Sequence, residues 1–132
     1  MNKYEKELIK IATTDNNIYL HKNIPDISKY MRRCRYAVSA GGTTLYELCA
    51  CRIPTVCFSF SDNQVYCTSA MNEQQIMIYA GDARVERNIE KKIMHGFKQF
   101  KEDDELTEGY ITRMGGLIDG KGVSRIVDIL CN

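Results

Sequence analysis

The sequence contains no run of about 18 apolar residues, so no membrane-spanning helix is expected. Neither sign of charge dominates: 18 Lys and Arg stand against 17 Asp and Glu, a net charge of +1. Nucleic-acid and anionic-membrane partners usually leave a basic excess, so neither is expected. No C-x-x-C pair occurs among the six cysteines (Cys34, Cys49, Cys51, Cys57, Cys67 and Cys131), and the two histidines, His21 and His95, lie far apart. That spacing suits neither zinc nor a disulfide framework. The cysteines fall mostly in apolar runs, where a free thiol packs as a small hydrophobe. A reducing, cytoplasmic compartment follows. "MNKYEKELIK" at the N-terminus is charged and lacks a signal peptide's apolar core. No internal repeat or low-complexity segment interrupts the chain.

What remains is 132 residues, 44% apolar and 27% charged, enough for one domain over 1–132 with a real core. Tyr4, Leu8 and Ile11 share a helical face over about 3–13. "TTDNN" is turn chemistry, and "IYLHKNI", 18–24, alternates as a strand does. A short helix over 26–33 leads to a buried strand, "YAVSA", 36–40. Gly41-Gly42 breaks that strand, and Thr43 is placed to cap a helix running to Cys51. "TVCFSF", 55–60, is apolar enough to be covered on both faces. A helix near 64–73 and a strand near 76–81 follow. The long helix over 85–100 carries Val85, Ile89, Ile93 and Phe97 every fourth residue. The acidic run 102–105 reads as a turn and the start of a helix to 115, and a last helix spans 123–131. Strands alternating with helices predict an α/β fold, a parallel sheet with helices on both faces.

In such a sheet, ligands bind beyond the carboxyl ends of the strands. Strand 36–40 runs into Gly41, Gly42, Thr43 and Thr44, and strand 55–60 runs into Ser61, Asp62, Asn63 and Gln64. Glycines admit a ligand to the backbone, and the amides opening the next helix favour a diphosphate. Two threonine hydroxyls add donors. Glu47, one turn into that helix, is placed for a ribose diol, and Asn63 and Gln64 suit sugar hydroxyls or acetamido groups. Each piece also has a plainer reading: a tight turn, a helix cap at Thr43 or Asp62, a solvated glutamate. A glycine pair alone is a weak signal.

The stretch "SAGGTTLYELCACRIPTVCFSFSDNQ", with "IYAGD" and the closing "LIDGKGVSRIVDIL", resembles the C-terminal half of the GT-B-type UDP-sugar hydrolase of pseudaminic acid biosynthesis. The likeness runs from about Tyr4 to Leu130. More distantly the chain is similar to the UDP-N-acetylglucosamine transferase that completes lipid II. The resemblance implies a Rossmann-like domain that binds UDP or a UDP-sugar. It places the diphosphate on Gly41 to Thr44, the ribose on Glu47, and the sugar on Gln64 with Asn63 beside it. It also implies a catalytic histidine in a separate N-terminal domain, which neither His21 nor His95 matches. Two more strands are implied ahead of residue 3, between strand 18–24 and strand 36–40.

The expectation is therefore a nucleotide-sugar-binding half-enzyme with no catalytic residue, metal or cofactor of its own. Its partner is an N-terminal-type domain or a second copy. Two alternatives stay open: the donor subunit of a split glycosyltransferase, and a non-catalytic interaction domain that kept the fold.

Overall fold

A computed structural model describes residues 3–131. Three parallel strands, β1 (Ala37–Ala40), β2 (Thr55–Ser59) and β3 (Ile78–Asp82), form a sheet in the order β1-β2-β3. Val38 pairs with Val56 and Ser39 with Cys57, while Val56 pairs with Ile78 and Cys57 with Tyr79. The helices α3 (Thr44–Cys51) and α4 (Asp62–Glu73) make the two crossovers. Successive strands step in one direction across the sheet, which with a constant crossover hand keeps both helices on one face.

Strand alternation divides the core. Cys57 points to a cluster holding Leu45, Leu48 and Cys49 of α3, Met71 of α4, and Met77. Val56, its neighbour, points the other way, onto Ala80, Phe100 and Tyr110, with Ile93 and Phe97 packed around them. That second face is covered by α5 (Ile89–Glu102). Gly96 lets α5 lie close, since a Cβ there would meet Val56 Cγ2 at 2.8 Å. The following helix α6 (Asp104–Leu117) serves both clusters, giving Tyr110 to one and Met114 to the other. Asp103 caps it, accepting from the Leu106 amide at 2.8 Å, a bond of the kind worth about 1 kcal/mol.

The expected strand over 18–24 does not form. Those residues are coil after α1 (Lys3–Thr14), and Ile18, Tyr19 and Leu20 are exposed. Alternation alone makes no strand without a ladder partner, and β1 is the edge of this sheet. His21 stacks instead on Tyr30 of the short helix α2 (Ser28–Met31), with ring centroids 4.5 Å apart. The long helix also begins later than its periodicity predicts. Val85, 78% exposed, sits in a turn whose amide donates to Asp82 O, so the core stripe starts at Ile89. The closing helix α7 (Gly122–Cys131) keeps Val123, Ile126 and Leu130 exposed.

The thiols divide by depth. Cys49 and Cys57 are buried as expected, whereas Cys34 and Cys131 are exposed. Burial first, then the neighbouring Cys67, pushes the Cys49 thiol up to about 11, and burial pushes Cys57 up to about 12. The thiolate is the reactive form. A thiol reagent at mildly alkaline pH is expected to label Cys34 and Cys131 in the folded chain. Cys49 and Cys57 should react only on unfolding, as read by peptide mass spectrometry.

Candidate functional site

Parallel strands deliver all three carboxyl ends to one edge, and there the turns after β1 and β2 touch. A Cβ on the buried Gly41 would lie 2.8 Å from Gln64 Cβ and 2.9 Å from Thr68 Cγ2. The Gly41 amide donates to Phe58 O at 2.7 Å, which holds the turn against β2. Only glycine permits this approach. Gly42, next along, is exposed, and a Cβ there would meet no heavy atom within 4 Å.

Thr43 does not cap α3. Its backbone is already helical, at φ −60° and ψ −28°, and its side chain makes no capping bond. A capping hydroxyl requires extended backbone at that position. The hydroxyls of Thr43 and Thr44 therefore make no hydrogen bond among the described residues. The Leu45 and Tyr46 amides donate to Gly42 O and Thr43 O at 3.1 and 3.0 Å, while the amides of Gly42, Thr43 and Thr44 make no backbone bond among the described residues. The turn thus presents hydroxyl and amide donors toward open space.

Glu47 is exposed and one helical turn beyond Thr44 on the same face. It lines a surface hollow of about 370 Å³ together with Pro25, Ile27, Met31 and Arg32. Asn63 and Gln64 do not line that hollow. The glutamate accordingly faces the α2 side of the turn, and the amides stand on the β2 side.

The loop after β2 is more tightly built than its composition indicates. Gln64 Oε1 accepts from the Phe60 amide at 3.1 Å, and Asn63 Oδ1 accepts from Ser61 Oγ at 2.6 Å. With each amide oxygen occupied, both side chains have NH2 groups left to donate. Asp62 is not a side-chain cap either; it opens α4 after Ser61, and its Oδ1 accepts from Arg84 Nη2 at 2.7 Å.

Arg84 is the residue that sequence reading missed. Its guanidinium also grips Asp82 at the end of β3, with Nε to Oδ1 at 3.0 Å and Nη2 to Oδ2 at 2.6 Å. Hydrogen bonding to Arg84 holds the Asp82 carboxyl below its ordinary range. The reciprocal contacts, Asp82 first, raise the guanidinium further. The available signal was "DAR", an acid and a base two residues apart at the carboxyl end of a third parallel strand.

Both histidines lie apart from these turns. His21 packs on Tyr30, and His95, on α5, borders a hollow with Ile78 to Gly81 of β3. Among the described residues no His, Cys, Asp and Glu cluster into a group able to hold a metal ion. The edge offers hydrogen-bond donors at β1, two amide donors and a carboxylate at β2, and an ion-paired network reaching β3. Comparison with protein-family models, with curated proteins and with solved structures returns no match.

Proposed function

We propose that this chain is the donor-binding half of a GT-B-type UDP-sugar hydrolase or glycosyltransferase of surface-polysaccharide biosynthesis. Its three-stranded sheet is read as part of a Rossmann-like C-terminal domain. The observation that carries the reading is the open turn at Gly42, with unpartnered threonine hydroxyls beside it and the Gln64 loop packed against Gly41. A diphosphate over this turn meets the amides and dipole of α3. From there the nucleoside runs along α3: the ribose diol reaches Glu47, and the base enters the hollow floored by Ile27 and Met31. The sugar extends the opposite way, toward Asp62, Asn63 and Gln64.

Hydrolysis needs a base and a water placed at the reacting centre, and the described residues around the turns offer no histidine for that role. The reaction is therefore assigned to the interface with an N-terminal-type domain, in the same or another chain.

Titrating UDP by calorimetry, with amide shifts followed by NMR, tests the reading. Binding with shifts at Gly41 to Thr44 is the expected result, and silence of those amides at millimolar UDP would refute it. Glu47→Ala is expected to weaken UDP by about 1–3 kcal/mol, the loss of a hydrogen-bonded carboxylate partner. An unchanged dissociation constant would remove Glu47 from the ribose.

A further inference from the structure

The three charged groups at the ends of β2 and β3 do not cancel. Asp62 and Asp82 share the one guanidinium of Arg84, so two carboxylates less one cation leave a formal charge of −1. At the end of β1, by contrast, amide and hydroxyl donors make the edge electropositive. The carboxyl edge of the sheet is thus polarised along its length, positive at β1 and negative toward β3.

Asp62 is the group through which a ligand meets the negative end. Its side chain is 95% exposed although paired. Only Oδ1 is engaged, by Arg84, and Oδ2 makes no hydrogen bond among the described residues. It lies two residues ahead of Gln64, whose Cβ abuts the Gly41 turn. Asn63 and Gln64 each accept one hydrogen bond at the amide oxygen within the loop. Of the three polar side chains opening α4, Asp62 alone has a side-chain oxygen, Oδ2, with no hydrogen bond among the described residues.

We infer that Asp62, held in orientation by Arg84, decides which sugars this site takes. The inference rests on the UDP-sugar reading above. Asp62 accepts a hydrogen bond from a hydroxyl or an acetamido N–H of a neutral sugar. Arg84 is a positioning residue: fixed from below by Asp82, it holds one oxygen of Asp62 and leaves the other turned outward. A sugar bearing its own carboxylate brings like charge to an edge that is already negative. It is discriminated against by repulsion.

Calorimetric titration of the chain with UDP, UDP-glucose and UDP-glucuronate at low ionic strength tests this. UDP-glucose is expected to bind at least about fivefold more tightly than UDP-glucuronate, with the gap narrowing as salt rises. In Asp62→Asn that ratio should fall to near one. In Arg84→Met, where the negative charge grows and the orientation is lost, UDP-glucose should weaken while UDP-glucuronate remains the poorer ligand. A purely structural ion pair would move the melting temperature and leave the ratio alone. UDP binding with an undiminished sugar ratio in Asp62→Asn overturns the specificity role and spares the parent reading. Absence of UDP binding by the parent chain overturns both.

Discussion

Phe100→Ala is expected to cost about 3–5 kcal/mol, the usual range for emptying a buried aromatic site. The ring is fully buried. It stacks on Tyr36 with centroids 6.2 Å apart and meets the edge of Tyr110 at 5.2 Å. Those aromatic pairs bind α5 to α6 and to the approach of β1, so the cavity cannot close without moving three segments. Domains of this size have about 5–15 kcal/mol of stability in all, and the variant should lose about a fifth of it or more. Urea unfolding followed by circular dichroism measures the loss. A change below about 1 kcal/mol would mean that α5 and α6 do not meet through this ring.

Gly41→Val should disturb both fold and site. The added Cβ meets Gln64 Cβ and Thr68 Cγ2 below 3 Å, and neither is the far end of a flexible side chain. Thr68 is fixed by its hydroxyl, which donates to Gln64 O at 2.9 Å, and Gly41 by its amide bond to Phe58 O. Overpacking of this kind costs about 1–3 kcal/mol, and α4 has to retreat from the β1 turn. Thermal unfolding should shift down by several degrees, and UDP affinity should fall by about tenfold or more as the two turns separate. Unchanged melting would show that the turns are further apart than described. Unchanged affinity in a melted-down variant would place the nucleotide elsewhere.

The two substitutions probe different levels of the structure. Phe100 belongs to the core face away from α3 and α4, so its loss is a matter of stability. Gly41 belongs to the seam between two turns, and there stability and ligand geometry depend on the same 2.8 Å approach.

Much of this was legible in the residues. The strands at 36–40, 55–60 and 76–81 appear as β1, β2 and β3 with small shifts of boundary, because each is a short apolar run bounded by turn signals. Their parallel pairing follows from the helices between them. The acidic run marked a turn and a helix start, since carboxylates suit the first turn, but that Asp103 in particular caps α6 came from the structure. Where the reading departed from the structure, a non-local condition decided. Residues 18–24 alternate well enough but join no ladder, and Val85 keeps the helical period but lies in a turn closed by Asp82.

By itself the sequence determined the α/β class, the order of elements from residue 36 onward, and the location of the candidate edge at Gly41–Thr44 and Asp62–Gln64. Local pattern suffices for these, because backbone periodicity and turn chemistry act over a few residues. Tertiary structure alone decided that Gly41 and Gln64 touch, that Glu47 looks toward α2, and that Arg84 ties Asp62 to Asp82. Such contacts join positions some twenty residues apart through the register of adjacent strands, and no short-range signal carries that register.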